Sequence, residues 1–149
     1  MAMSMLLAEL GPQVGRICGA IALADGEDAA QEAMVAVFRH LRELREPRAL
    51  RSWVRAIATR EAVRVARRRT AAGGRELPED LPAATDVETC ADVRDLLGRL
   101  RPEQRAILVL RDVEGLEEQE AAELLGVARG TVKSRLHRAR RAFRREWAP

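Results

Sequence analysis

The side chains best suited to bind a ligand lie near the carboxyl terminus, in residues 129–145, where eight basic groups occur without an acidic one. Lysine and arginine neutralise phosphates and donate hydrogen bonds to guanine, while Ser134 and His137 can donate to base edges or accept from them. Side chains of these types, close together in sequence, favour noncovalent binding of a nucleic acid. The alternative is an arginine-rich helix face that is only solvated.

A helix-turn-helix is predicted to position these side chains. Apolar residues recur at four-three-four spacing through Val132, Leu136, Ala139 and Phe143, so one side of a helix faces inward. The opposite side carries small, polar and basic residues, namely Gly130, Ser134, His137, Arg138 and Arg141, with Lys133 on the shoulder. In helix-turn-helix proteins, such an outer face enters the major groove of DNA.

Three more helices are predicted before this one. A narrow apolar seam marks the first, formed by Val93, Leu96, Leu97 and Leu100. Pro102 fits the first turn of the second, which reaches about Asp112 and is expected to be central because residues 106–110 are apolar nearly all round. The third, at 117–125, ends at Gly126, whose left-handed conformation would make the turn.

The amino-terminal half is predicted to form three helices. The first is expected to begin at Pro12, to run to about Leu23 and to be followed by a break at Asp25-Gly26. The second has an inward stripe of Ala30, Met34, Val37, Leu41 and Leu44. It ends before Pro47, because proline disfavours helical geometry in the preceding residue. The third has a buried stripe of Leu50, Val54, Ile57 and Val65, with Trp53 beside it.

Two outward faces of these helices are candidate binding surfaces. The second helix exposes Asp28, Gln31, Glu32, Val35 and Arg39, a solvated face or a docking surface for a partner. The third forms a long basic rod, expected to face phosphate, from Arg48, Arg51, Arg55, Arg60, Arg64, Arg67, Arg68 and Arg69. Trp53 is either a core residue or a support for an unstacked base.

Composition and charge define the domain organisation. The 149-residue chain is 47% hydrophobic but only 3% aromatic, and its abundant alanine and leucine favour an all-α fold. Residues 1–69 and 93–149 each carry a net charge of +4, whereas residues 70–92 carry −5 and contain two glycines and two prolines. The sequence therefore predicts two small helical domains joined by an acidic flexible linker, with boundaries at 1–69, 70–92 and 93–149.

Several classes of protein are disfavoured. Two cysteines and two histidines, far apart in sequence, provide neither metal-site spacing nor a disulfide framework, and no phosphate-binding loop or dinucleotide motif occurs. We expect no metal, no cofactor and no enzymatic activity. Cys18 and Cys90 are expected to be small buried apolar residues rather than a redox pair. The apolar run 17–24 is too short to cross a bilayer and there is no export signal, so we expect a cytoplasmic protein without membrane insertion.

These motifs resemble two conserved regions of bacterial RNA polymerase sigma factors. The fourth region is similar to residues 100–116, 126–127 and 130–136 of this chain. The second region is similar to residues 28–32, 51–54 and 67–69. Two domains and a short linker make the chain similar to the compact extracytoplasmic-function group of these factors.

The resemblance implies a promoter-recognition subunit that binds core RNA polymerase. It assigns docking on the clamp of the largest polymerase subunits to Asp28, Gln31, Glu32, Val35 and Arg39. It implies that the melted minus-ten element of the promoter is bound by Arg48, Arg51, Trp53, Arg55, Arg60, Arg64 and Arg67. It implies that the minus-thirty-five element is bound by Lys133, Ser134, His137, Arg138 and Arg141. The residues that it places nearer to phosphate are Arg129, Thr131, Arg135 and Arg140. An anti-sigma partner is also implied, as is association with the nucleoid when the protein is active.

The chain departs from the family pattern in both halves. Arg60 and Arg64 stand where the family usually has asparagine and aspartate, which bears on the minus-ten sequence that it prefers. Glu117 replaces the usual serine or threonine helix cap, and Ala128 offers no capping side chain to the recognition helix.

Two other functions fit the same residues. A helix-turn-helix regulator of another type would bind its duplex tightly without polymerase, and a helical adaptor would bind protein or RNA through its basic faces without sequence preference. Substituting Lys133 and Arg138 would weaken binding equally for all sequences in the adaptor. In a sigma factor the loss would be selective for one promoter position, at about 1–3 kcal/mol per bidentate contact.

Overall fold

The computed structural model describes residues 2–72 and 93–147, which form helices and turns with no strand among them. The chain divides into two compact units, residues 1–68 and 69–149. The prediction of an all-α fold is confirmed for the described residues. Residues 73–92, which include most of the predicted acidic linker and Cys90, lie outside them.

The first unit is built from α1 (Ala2–Ala22), α2 (Gly26–His40) and α3 (Leu50–Ala71). Short 3-10 turns lie between them, at Leu23–Asp25, Leu41–Glu43 and Pro47–Ala49. All three helices contribute core side chains that are at most 1% exposed, namely Leu10, Val14, Ile17, Ile21, Ala29, Ala33, Val37, Val54, Ala58 and Ala62. Removing this apolar surface from water is the main force that holds the helices together.

The first helix begins ten residues earlier than predicted. Pro12 lies inside α1 rather than in its first turn, and the helix extends back to Ala2. Proline removes one backbone hydrogen bond and crowds the preceding turn, but residues 2–8 are mostly alanine, methionine and leucine, which are strong helix formers. Met3, Met5 and Leu7 are consequently helical but exposed, at 56%, 72% and 41%.

The buried side of α2 consists of smaller residues than the sequence pattern indicated. Ala29, Ala33 and Val37 are fully buried. The predicted stripe is only half-buried at Ala30, Met34, Leu41 and Leu44. The reason is the close approach of α1, since a Cβ added to Gly26 would lie 2.9 Å from the Cα of Gly19.

The break between α1 and α2 lies at Leu23 and not at the predicted Asp25-Gly26. Leu23 has a φ of +54°, in the left-handed region, whereas Gly26 has a helical φ of −59°. The missing side chain of Gly26 therefore serves helix packing rather than a turn.

Helix α3 follows its predicted stripe only in part. Val54 and Val65 are buried as predicted, but Leu50 and Ile57 are half-buried. The remaining buried positions are small or polar, namely Ala58, Thr59, Ala62 and Ala66. The Thr59 hydroxyl is satisfied inside the helix, because it donates to the carbonyl of Arg55 at 2.8 Å. Trp53 is half-buried.

The second unit contains four helices in the described residues: α4 (Val93–Gly98), α5 (Pro102–Leu108), α6 (Glu118–Leu125) and α7 (Arg129–Trp147). Helix α5 continues as a π turn at Val109–Val113, which the sequence did not predict. Its central position is confirmed, since residues 104–110 are all buried. Gly115, with a φ of +72°, separates the π turn from α6.

A buried arginine joins α4 to α5. Arg105 is 7% exposed, and its guanidinium donates to the carbonyls of Leu97 at 3.3 Å and Leu100 at 2.6 Å. Burial lowers the pKa of Arg105 to about 10, against the opposing charge of Glu103. The group is still charged at neutral pH. It satisfies the carbonyl of Leu100 after the end of α4 and adds a second donor to the carbonyl of Leu97, which also accepts from the Leu100 amide at 3.0 Å.

Cys18 is fully buried and its thiol donates to the carbonyl of Ala58 at 3.7 Å. Burial, assisted by the charge of Glu61, raises its pKa to about 12. We expect this thiol in a Cys90→Ser variant to react with iodoacetamide at pH 8 about a thousandfold more slowly than after unfolding in guanidinium, because only the thiolate is nucleophilic. Mass spectrometry of the alkylated chain measures both rates, and equal rates would contradict the buried placement.

One helical stretch, Ala2–Glu43, is long and apolar enough to cross a membrane by length and composition alone. The buried core helices of globular units pass the same test, and 39% of its most apolar window is buried here. Its large apolar side chains Leu10, Ile17 and Ile21 lie in the buried core of the first unit.

Candidate nucleic-acid interface

The predicted helix-turn-helix is present as α6, a tight turn and α7. Helix α6 ends at Gly126, which has a left-handed φ of +67°, and the Val127 amide donates to the carbonyl of Ala122 at 3.1 Å. Many α-helices end in this way, with a glycine in the left-handed conformation after the last turn. One apolar cluster holds the two helices against the preceding segment, formed by Leu110, Leu116, Ala121, Ala122 and Val132.

Helices α6 and α7 both follow a residue, Glu117 or Ala128, that is not one of the usual capping residues, and the hydrogen bonds at the two starts differ. The backbone amide of Glu117 donates to the carboxylate of Glu120 at 3.3 Å, and acidic side chains in the first turn are favoured by the helix dipole. At α7 the carbonyl of Ala128 accepts from the amides of Thr131 and Val132, at 3.0 and 3.2 Å. The start of α6 is thus stabilised by a side-chain hydrogen bond, whereas the hydrogen bonds described at the start of α7 are between backbone groups.

The side chains predicted to face DNA lie on the outer side of α7. The exposed ones are Arg129, Lys133, Ser134, His137, Arg138 and Arg141, while Thr131 and Arg135 are half-buried. The Ser134 hydroxyl donates to the carbonyl of Thr131 at 3.1 Å. Its remaining lone pairs can accept a hydrogen bond, which suits the exocyclic amino group of adenine or cytosine.

Ion pairs of Arg129 and Arg140 hold α7 against the elements before it. Arg129 donates to Glu118 at 3.2 Å, from the first turn of α7 to the first turn of α6. Arg140 binds Asp112 of the π turn through two hydrogen bonds, at 3.2 and 2.5 Å, and this contact raises the pKa of Arg140. Arg140, predicted to lie nearer to phosphate, thus has its guanidinium engaged within the unit by an exposed ion pair.

A cavity of about 480 Å³ opens beside this face of α7. Its lining is predominantly basic and consists of Glu118, Lys133, Leu136, His137, Arg140, Arg141 and Arg144. Walls of one charge sign concentrate counter-ions, so this side of α7 attracts anions. Sequence reasoning missed Arg144 and Glu118. The three-residue spacing of Arg144 from Arg141 was the available signal, because such residues are neighbours on a helix surface.

The basic rod on α3 is less uniform than predicted. Arg48, Arg60 and Arg67 are exposed, and Arg55 is half-buried. Arg51 is exposed but donates to Glu9 of α1 at 3.1 Å. The cationic face is thus partly neutralised by acidic side chains from other helices, which periodicity along α3 does not reveal.

The predicted docking face of α2 is a single outer surface. Asp28, Gln31 and Arg39 are exposed, and Val35 is an apolar residue left 55% exposed among them. Such a mixed surface fits a protein partner better than a nucleic acid, since an exposed apolar side chain gains from burial at an interface.

Glu32 belongs to the same outer face of α2, but its carboxylate is bound by side chains of α3. Its carboxylate accepts from Arg64 at 2.7 Å and from Arg68 at 2.9 Å, both on α3. The hydrogen bond from Arg68 is the main cause that lowers the pKa of Glu32. Arg64 also binds Glu61 on its own helix, with Nε 3.1 Å from the carboxylate. Arg64, predicted to contact DNA, is thus held by two acidic groups.

Comparison with protein families gives two matches in the order of the chain. Residues 6–72 match the Sigma-70 region 2 family, and residues 90–143 match the Sigma-70 region 4 family. The first range covers α1 from residue 6 together with α2 and α3, and the second covers the helix-turn-helix as far as residue 143 of α7.

Curated relatives agree with these matches. The chain is 37% identical over 131 residues to the ECF RNA polymerase sigma factor SigE of Mycolicibacterium smegmatis, covering 80% of this chain and 51% of the relative. It is 39% identical over 119 residues to SigM of Mycobacterium tuberculosis, covering 78% and 61%. The chain thus spans about half to three fifths of these two relatives. It is 33% identical over 127 residues to the RNA polymerase sigma-E factor of Streptomyces coelicolor, covering 82% and 71%.

Solved structures show the same fold. The sigma factor RpoE of Bartonella quintana, in complex with the anti-sigma factor NepR, aligns with a TM-score of 0.69 at 20% identity, over 97% of this chain and 95% of that one. CnrH, in complex with the cytosolic domain of CnrY, aligns with a TM-score of 0.62 at 24% identity, over 95% and 84%. Together, the helix-turn-helix, the two family matches and these relatives show that the chain belongs to the extracytoplasmic-function group of bacterial RNA polymerase sigma factors.

Proposed function

We propose that this protein binds core RNA polymerase and directs promoter-specific initiation of transcription. The observation that carries the proposal is the outer face of α7, which the helix-turn-helix presents as a row of exposed basic and hydrogen-bonding side chains. The protein is a specificity subunit without enzymatic activity, and it acts in the cytoplasm, associated with the nucleoid when active.

Residues 93–149 read the minus-thirty-five element in this proposal. Lys133, Ser134, His137 and Arg138 contact base edges, because the first turns of a recognition helix reach the floor of the major groove. Phosphate contacts come from Arg129, Thr131, Arg135 and Arg140, and Arg141 adds positive charge to the same face. The basic cavity beside α7 supports this division, since it extends the positive surface along the helix.

Residues 1–69 bind polymerase and the melted minus-ten element. The half-buried indole of Trp53 offers an aromatic surface on which an unstacked base can rest, at a stacking gain of about 1–3 kcal/mol. The arginines of α3 and of the turn before it hold the strand through phosphates, namely Arg48, Arg51, Arg55, Arg60, Arg64 and Arg67. Strand capture of this kind requires no nucleotide hydrolysis by the chain itself.

The outer face of α2 docks on the clamp of the largest polymerase subunits through Asp28, Gln31, Glu32, Val35 and Arg39. The exposed Val35 supports a protein contact there. An anti-sigma factor that covers the polymerase-binding faces regulates the protein. Support comes from the two solved structures of similar fold, both of which are complexes with a partner protein.

Run-off transcription with purified core polymerase on a pool of genomic promoter fragments tests the proposal. We expect transcripts from a subset of fragments that share two spaced elements, and none from core polymerase alone. A gel shift on the same fragments, with and without core, is the control. Tight, sequence-specific binding of the free chain without any transcript would instead indicate a helix-turn-helix regulator of another type. Equal binding to all fragments would indicate the adaptor.

A further inference from the structure

Glu32 belongs to two surfaces at once. It lies on the outer face of α2 between Gln31 and Val35, and its side chain retains 38% exposure. The same carboxylate binds Arg68 through both oxygens, each at 2.9 Å, and Arg64 at 2.7 Å. Both arginines lie on the basic face of α3, so one acidic group connects the face suited to a protein partner with the face suited to phosphate.

Glu32 cannot bind a cation of a docking partner and both arginines of α3 fully at the same time. A carboxylate has few acceptor positions, and three hydrogen bonds from two guanidinium groups occupy most of them. A cation from a docking partner can therefore bind Glu32 fully only if Arg64 or Arg68 withdraws. If Glu32 is lost, Arg64 still has a second acceptor, Glu61, on its own helix. The loss of Glu32 therefore affects the guanidinium of Arg68 more than that of Arg64.

We propose that Glu32 couples polymerase docking to nucleic-acid binding by α3: in the free chain it restrains Arg68 and Arg64, and docking transfers Glu32 to a cation of the partner and releases both arginines to phosphate. This inference rests on the proposed function, because it takes the docking partner to be polymerase. Coupling of this kind is reciprocal, so a strand bound by the released arginines also favours docking. The ion pairs are weak enough to exchange, because the side chains on both sides are exposed to water, which competes for their charges.

The free chain provides the first test. Binding of a labelled single-stranded DNA of mixed sequence is measured by fluorescence anisotropy against salt concentration. We expect Glu32→Gln to bind more tightly than the wild type at low salt, with a log–log salt slope steeper by about 0.7 for each additional phosphate that the protein neutralises on a single strand. Glu27→Gln is the matched control, since Glu27 is exposed on the same helix and the substitution changes the net charge equally.

A substitution cycle shows whether the tighter binding passes through Arg68. In an Arg68→Gln background, Glu32→Gln is expected to lose most of its effect, leaving only the small part that Arg64 contributes. An equal increase in affinity for Glu32→Gln and Glu27→Gln would overturn the inference, because general charge would then explain it. So would a Glu32→Gln effect that is undiminished without Arg68. Circular dichroism of each variant confirms that these exposed substitutions leave the helices intact.

The holoenzyme provides the second test. If docking releases Arg68, then Arg68→Gln weakens binding of the same strand at least threefold more in the holoenzyme than in the free chain, where Arg68 is already restrained. Equal losses in both states would overturn this inference alone, with the proposed function still standing. A chain that forms no holoenzyme with core polymerase would overturn the proposed function, and this inference with it.

Discussion

Replacing Gly26 with alanine is expected to destabilise the first unit by about 1–3 kcal/mol, the usual range for overpacking a well-filled core. The added Cβ would lie 2.9 Å from the Cα and 3.3 Å from the amide nitrogen of Gly19, and 3.4 Å from the carbonyl oxygen of Cys18. All three are backbone atoms of α1, so no side chain can rotate away. The helices must separate, which also loosens the packing around Ala29 and Ala33.

The effect can be measured in the first unit alone. In a Trp147→Phe background, Trp53 is the remaining tryptophan of the chain, and its fluorescence reports guanidinium unfolding of this unit. Gly19→Ala is the matched control on the facing helix, because a Cβ there has nothing within 4 Å. We expect that change to be neutral or to stabilise by up to about 1 kcal/mol, through better helix propensity. A Gly26→Ala variant as stable as the parent would contradict the close helix approach.

Substitutions in the first turns of α7 are expected to reduce promoter-specific transcription strongly. Lys133→Gln and Arg138→Gln should each lower run-off transcription about 10- to 100-fold on a matched promoter, which corresponds to about 1–3 kcal/mol for one base contact. The loss should be confined to promoters that carry the contacted base, and changing that base should remove the difference between variant and wild type. Transcription from a panel of single-base promoter variants gives the measurement.

Arg145→Gln is the control for net charge on the same helix. Arg145 is exposed but lies twelve positions beyond Lys133, about 18 Å along the helix axis at 1.5 Å per residue. Arg145 lies in the last turn of α7, whereas the N-terminal part of a recognition helix contacts the base edges. We expect a small and sequence-independent loss for Arg145→Gln. Equal losses for all three variants on every promoter would contradict base reading by α7.

The second unit was largely predictable because its signals are local. The four-three spacing through Val132, Leu136 and Ala139 places these residues on the inner side of any helix, and the outer side then follows. Phe143, the last residue of the predicted stripe, is half-buried. The turn was predictable for the same reason, since Gly126 adopts a left-handed conformation that other residues disfavour. Within this unit, the sequence missed the π turn and the engagement of Arg140 by Asp112, which depend on how α5 and α7 meet.

The first unit was less predictable because small residues carry little periodic signal. Gly26 looks like a chain break in sequence, yet it is helical and is required by the approach of α1. Ala29 and Ala33 are buried for the same reason, in preference to larger neighbours such as Met34. How closely two helices approach is a property of both together, and neither helix pattern contains it.

The amino-acid sequence by itself determined that the chain is helical, where the turn of the helix-turn-helix lies and which side of α7 faces outward, since each depends on residues within a few positions of one another. Only the tertiary structure decided which cations are engaged. Glu32 lies 32 and 36 positions before Arg64 and Arg68, and the crossing of α2 with α3 brings them together. Electrostatic contacts depend on distance in space rather than along the chain. The sequence of α3 alone therefore does not show which of its arginines are bound by an acidic side chain of another helix.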